Sequence, residues 1–269
     1  MMDRVRVLRR VLEPLRPYLE EVVLIGGWVP FLYLYGIGRE TSQTIEADIL
    51  VPETLLPRGR PTLAEALQGA GYSPGRGGTV WRGRVEEGEQ VEFLVSHEGT
   101  AAGEGATRVI PGQPGVGAVS LSGLWVFLES NRQLPIPGSP PMGVTVPRCG
   151  VFVANKANTF SRRPRDAGRH LRAGKDLLYL FDLMGGGTEL LDEIRGDLAQ
   201  FCDAGRRERF YLERARNHAS LLGDGVMRGH LMAAIEMLRV REGIYPGEAE
   251  VLMRGRMGLL VSILEECLR

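Results

Sequence analysis

The stretch from Val22 to Val51, VVLIGGWVPFLYLYGIGRETSQTIEADILV, leaves the N-terminal half of the chain few ways to fold. Val22 to Ile25 is a short, wholly apolar run of the kind that forms a buried strand. Gly26 and Gly27 follow it directly and permit a tight turn with close approach of a ligand to the backbone. Pro30 stands where the first turn of a helix would begin, a position whose missing N–H costs little, so a helix is expected through Tyr35 and an end at Gly36 and Gly38. A strand that passes through glycines into a helix N-terminus presents N–H groups and the positive end of a helix dipole, which suits phosphate. The same two glycines also suit a purely structural turn.

Ile45 to Val51 predicts a second strand, in which Glu46 and Asp48 alternate with apolar neighbours. Side chains at i and i+2 share a face, so these two carboxylates point the same way. Like charges held that close repel unless a cation sits between them or one takes up a proton. Hard oxygen ligands on a rigid strand favour Mg²⁺ or Mn²⁺; a solvent-facing strand edge is the alternative. Gln90 to Ser96 (QVEFLVS) predicts a third strand, with Val91, Phe93 and Val95 on one face and Glu92 on the other. Set beside the strand of Glu46 and Asp48, it would make Glu92 the third member of a carboxylate cluster able to hold two divalent ions.

The rest of the first half reads more loosely. Asp3 to Glu20 predicts an amphipathic helix bent near Pro14 and Pro17, its arginines forming a solvated face. Pro61 to Gly71 reads as a short helix, Thr79 to Arg84 as a strand, His97 to Gly115 as a loop, Gly117 to Glu129 as a helix or a strand, and Gly143 to Pro147 as a last short strand. PIPGSPP at Pro135 to Pro141 has the composition of a linker, so the expected domains are 1–141 and 142–269. From Cys149 onward helical periodicity takes over, with helices expected over 152–163, 166–184, 189–202, 206–222, 226–241 and 248–268. The expected class is α+β: an N-terminal mixed sheet with flanking helices, then a C-terminal α-helical bundle.

Charge and cysteine content narrow the setting. Thirty-three basic and thirty-three acidic residues cancel, so attraction to nucleic acid would need a local patch. Arg162, Arg163, Arg165, Arg169 and Arg172 form the one dense basic segment, suited either to tracking a phosphate backbone or to a solvated helix surface. Cys149, Cys202 and Cys267 are too widely spaced for a zinc knuckle or a disulfide framework, and no apolar run approaches the ~20 residues that span a bilayer. A cytoplasmic protein with no membrane attachment is expected. Of the 33 basic residues only Lys156 and Lys175 are lysines, so a position that keeps lysine points to a need for a compact ammonium.

The run LIGGWVPFLYLYG, then R-x-T and TIEADILV, then VEFLV, then VPRCGVFVANKANTFSRR and AGKDLLYLFDLM, resembles the nucleotidyltransferase fold of the DNA polymerase β superfamily. Within it, the chain is most similar to AbiEii-type and related bacterial stand-alone nucleotidyltransferase-like proteins, some of which are toxins of toxin–antitoxin pairs. The resemblance runs from about Val22 to Met184. It implies a transferase that moves an NMP from an NTP to an acceptor hydroxyl on RNA, protein or a small molecule, with Mg²⁺ or Mn²⁺ as cofactor and an antitoxin as a conceivable partner. It further implies that Gly26 and Gly27 form the phosphate turn, that Glu46, Asp48 and Glu92 bind metal, and that Arg39, Thr41, Lys156, Lys175 and Asp176 contact the nucleotide, with Glu46, Asp48, Glu92 and Lys175 catalytic. Three positions depart from the family pattern: Gly27 replaces serine, and Glu46 and Glu92 replace aspartate. A catalytically impaired protein that serves as a nucleotide-binding or partner-binding module is therefore the alternative.

Overall fold

The first helix, α1 (Met2–Leu12), gives way at Pro14 to a 3-10 segment over Glu13–Tyr18, because proline removes the N–H that a continuing α-helix needs. There follow β1 (Val23–Ile25), α2 (Trp28–Tyr35), β2 (Glu46–Val51), α3 (Leu63–Gly69), β3 (Ser73–Pro74), β4 (Val80–Arg82), β5 (Gln90–His97), β6 (Thr107–Val109), β7 (Gly117–Ser122), α4 (Trp125–Glu129), β8 (Asn131–Ile136) and β9 (Met142–Pro147). Then come α5 (Cys149–Phe160), α6 (Ala167–Met184), α7 (Thr188–Ala204), α8 (Arg206–Ser220), α9 (Arg228–Glu242) and α10 (Pro246–Leu268). The structure, a computed structural model, describes residues 2–39, 41, 44–83, 88–98, 103–161, 167–221 and 227–269. The chain is mixed α and β, with a mixed sheet and a C-terminal helical region. It divides into two compact units, Met1–Leu32 with Gln43–Pro147, and Tyr33–Ser42 with Arg148–Arg269, the first division falling inside α2.

In the sheet unit the strand order is β1-β2-β5-β4-β3, with β7 also on β5 and β6 on β7. β2 runs antiparallel to β1 and parallel to β5. β4 covers the first half of one edge of β5 and β7 the second half. Ala47, Ile49 and Val51 of β2 and Val91 and Phe93 of β5 are inaccessible and form one apolar face of the sheet. The helix that fits the sequence best is α3. Thr62 Oγ1 accepts from Glu65 N at 3.2 Å while Thr62 N donates to Glu65 Oε2 at 2.7 Å, a reciprocal cap that starts the helix at Leu63.

Several expectations change. Pro135 to Pro141 closes the β8–β9 hairpin, so the division falls at Pro147 and Arg148 and not after Pro141. Arg9 holds that turn by donating to the carbonyls of Pro137 (3.2 Å) and Pro140, and Arg16 donates to Pro141 O at 3.0 Å. Gly117 to Glu129 is both strand and helix, separated at Gly123, whose φ of 79° ends β7. The expected loop after His97 contains the exposed edge strand β6.

In the helical unit α5 packs on α6, α7 and α8, α6 on α9, and α10 against α6, α7, α8 and α9. Close packing explains Gly150 in α5. A Cβ there would lie 2.6 Å from Ile194 O. Among the described residues no helix is long and apolar enough to cross a membrane.

Candidate functional site

β1, β2 and β5 build the candidate site of the sheet unit. On β2 the face opposite the apolar one carries Glu46, which is exposed, and Asp48, which is half-buried; on β5 it carries the half-buried Glu92. Because β2 and β5 are parallel and in register, Asp48 and Glu92 are directly opposite partners, and their carboxylates leave the sheet on the same side. The adjacency that the sequence required of Glu92 is therefore present. Glu46 is opposite Gln90, two residues nearer the strand start. Among the described residues no group of three or more His, Cys, Asp or Glu side chains could hold a metal ion, so the three carboxylates are not drawn into a ready-made shell.

The glycine turn supplies the third side. Gly26 has a φ of 73°, and a Cβ on it would lie 1.9 Å from Asp48 Oδ2. The Asp48 carboxylate is thus laid against the backbone of the turn, in space that any side chain at position 26 would occupy. Ile25 is the antiparallel partner of Asp48, so the end of β1 sets the turn and the carboxylate side by side. Gly26 O accepts from Val29 N at 3.3 Å, and Gly27 is buried. What the strands and the turn supply are carboxylate oxygens, the donor type that hard divalent cations take, one of them in a cradle that only glycine leaves open. Trp28 and Phe31 of α2 are not part of it. Their rings meet edge to face at 5.5 Å, Arg4 lies over Phe31 at 4.5 Å, and both are buried as core.

The remaining candidates lie in the helical unit. Lys156 Nζ is 2.8 Å from Asp176 Oδ1, with the Phe152 and Tyr179 rings at 5.4 and 5.5 Å. α5 and α6 thereby bring together two residues that the motifs single out, as a nearly inaccessible ion pair. Lys175, the next residue round α6, is exposed. Thr41 is buried, and Arg39 is exposed and donates to Gly185 O. Arg162, Arg163 and Arg165 of the basic segment lie outside the described residues; Arg169 and Arg172 are in α6, and Arg172 is exposed. Cys149, Cys202 and Cys267 are free thiols, and burial pushes the Cys202 and Cys267 thiols up.

One polar group went unmarked by the sequence. Glu89, buried at the start of β5, accepts from Arg10 Nε at 2.7 Å and from Tyr72 OH at 3.2 Å, on the wall of a cavity of about 780 Å³. The arginines of α1 are therefore not simply a solvated face: Arg9 holds a hairpin turn and Arg10 neutralises a buried carboxylate. No local signal marks Glu89, which follows Gly88 in a polar turn and takes Arg10 from α1 and Tyr72 from the residues after α3 as partners.

Comparison of the chain with models of protein families, with curated proteins and with solved structures finds no match in any of the three.

Proposed function

We propose that the chain is a metal-dependent nucleotidyltransferase of the kind its motifs resemble, with the sheet unit adopting the nucleotidyltransferase arrangement and transferring an NMP from an NTP to an acceptor hydroxyl. The observation that carries this reading is Asp48, whose carboxylate lies against the Gly26 turn and opposite Glu92. Carboxylates on adjacent strands supply the oxygen donors that a hard divalent cation takes, and a turn that only glycine can make brings backbone N–H groups to the same place.

In this reading Asp48 and Glu92 hold Mg²⁺ or Mn²⁺, and Glu46 reaches in from the start of β2. A bound divalent ion supplies Lewis-acid chemistry, lowering the pKa of the acceptor hydroxyl and stabilising charge on the α-phosphate and the leaving pyrophosphate. Asp48 is oriented by the Gly26 backbone, which limits the rotamers it can take. Glu92 takes the acceptor's proton. Gly26 and Gly27 offer backbone donors to the phosphates, the role expected of a glycine turn at the head of a helix. The resemblance gives Lys156, Lys175 and Asp176 a share in handling the triphosphate, and toxin activity with an antitoxin partner is the biological setting it suggests.

The test is incubation with Mg²⁺ or Mn²⁺, each labelled NTP, and total cell RNA and protein. Transfer of label names the nucleotide and the acceptor class together, and addition of small hydroxylated acceptors covers the third class. Asp48→Ala and Glu46→Ala are expected to abolish transfer while circular dichroism shows the fold intact. Undiminished transfer in both variants would refute the site.

A second reading has one observation in its favour. Glu46 is exposed and opposite Gln90, and its extra methylene alters the geometry that Mg²⁺ demands. A catalytically impaired nucleotide-binding or partner-binding module would then be stabilised against heat by metal-NTP and would transfer no label.

A further inference from the structure

At the C-terminal end of α6 the helical unit holds a pocket of about 470 Å³, whose charged lining is Arg39, Arg241 and Arg256 with Asp182 and Glu242, beside Leu34 and Leu252. That volume suits a small molecule. Arg241 and Arg256 come from α9 and α10, beyond the part of the chain that the family resemblance covers.

The three guanidiniums differ in what they face. Arg241 donates to both oxygens of Asp182, at 2.9 and 2.7 Å, and through Nε to Glu242 at 2.8 Å. It is fully engaged with carboxylate, and hydrogen bonding to Asp182 raises its pKa although burial opposes that. Arg39 and Arg256 face main-chain carbonyls. Arg39 donates to Gly185 O, and Arg256 donates to Phe181 O at 2.6 Å with its guanidinium 3.6 Å from the Phe181 ring centroid. Among the described residues neither forms an ion pair with a carboxylate.

Both also converge on Gly185. A Cβ there would lie 2.2 Å from Arg256 Nη1, while its carbonyl receives Arg39. Burial lowers the Arg256 pKa, the charges of Arg39 and Arg241 add to that effect, and the carboxylates of Asp182 and Glu242 oppose it. Three guanidiniums meet two carboxylates, Asp182 and Glu242, and a helix C-terminus that carries roughly half an elementary negative charge, so a positive excess remains in the pocket. Planar guanidinium forks suit the oxygens of phosphate, and Leu34 and Leu252 supply an apolar wall beside them.

We propose that this pocket is an anion site that takes the phosphate group of a small phosphorylated molecule between Arg39 and Arg256, with Leu34 and Leu252 meeting its apolar part. The site lies in the helical unit alone and stands whether or not Asp48 and Glu92 bind metal. Arg39, which the resemblance links to the nucleotide, belongs here with Arg256.

Calorimetric titration with phenyl phosphate, in buffer containing EDTA, tests it. Saturable binding is expected for the wild-type chain, with affinity lower by about tenfold or more in Arg39→Gln, which removes a charge, and in Arg256→Lys, which removes a guanidinium fork. Asp48→Asn is expected to bind as the wild type does. Arg39 is exposed, so Arg39→Gln keeps the test decisive if Arg256→Lys fails to fold. Absence of saturable binding, unchanged affinity in Arg39→Gln, or loss of binding in Asp48→Asn would each overturn the proposal.

Discussion

The two units treat buried carboxylates differently. In the helical unit Asp176, Asp182 and Asp197 are nearly inaccessible, and each meets a cation: Lys156 at 2.8 Å, Arg241 at 2.7 Å and Arg148 at 3.2 Å. Asp197 also accepts from Gly150 N at 3.2 Å, which fixes the start of α5. In the sheet unit Glu89 follows the same rule with Arg10, but Asp48 and Glu92 are set opposite one another. Opposite charges in contact serve folding. Like charges on neighbouring strands oppose it, and perturbed charge clusters are frequent at functional sites. The buried carboxylates of the helical unit are thus matched one to one with cations of that unit, whereas Asp48 and Glu92 are neighbours on one sheet face, where the proposed ligand would bind.

Substitution can break this contrast. The largest effect on stability is expected from Arg241→Met, which leaves the Asp182 carboxylate buried without its fork and costs about 3–5 kcal/mol in urea unfolding. Asp48→Asn in the same measurement is expected to change stability by less than about 1 kcal/mol. Similar losses in the two variants would remove the distinction. A pair of glycines sharpens it further. Gly243 and Gly26 both have left-handed φ, 67° and 73°, but only Gly26 has a carboxylate where a Cβ would go. Gly243→Ala is expected to cost about 1–2 kcal/mol of backbone strain and nothing else. Gly26→Ala should add displacement of Asp48, seen as loss of label transfer from NTP. Full activity in a folded Gly26→Ala protein would contradict the role given to the turn.

The smallest effect concerns the cap of α3. Hydrogen bonds from the Thr62 backbone and side chain hold the Glu65 carboxyl below its usual range. A carboxyl whose folded-state pKa is depressed stabilises the fold above its unfolded value, and that contribution is lost as pH falls through the folded value. Glu65→Gln should therefore flatten the fall in stability between neutral pH and about pH 3, read from urea midpoints across that range.

These differences mark how far the sequence could be read. The strands of the site were legible because VVLI, IEADILV and QVEFLV each carry an apolar face, and the period of two fixed which side Glu46, Asp48 and Glu92 take. Strand neighbours are a tertiary fact, so the pairing of Asp48 with Glu92 could be stated only as a condition. Pro135 to Pro141 misled because proline and glycine make both linkers and hairpin turns, and the difference lies in Arg9 and Arg16, more than a hundred residues away. Gly117 to Glu129 was ambiguous because an apolar run has no single period when it changes structure at Gly123. Arg39 and Arg256 meet only through the loop after α6. Nothing in the spacing of three arginines along the chain signals that pocket.

On the proposed function, the face of β2 and β5 bearing Asp48 and Glu92 receives a divalent cation. Thermal unfolding of the wild-type and Asp48→Asn proteins with and without Mn²⁺ tests it most directly. Mn²⁺ is expected to raise the unfolding midpoint of the wild type and to leave Asp48→Asn unmoved. An equal response in the two proteins, or none in either, would contradict it.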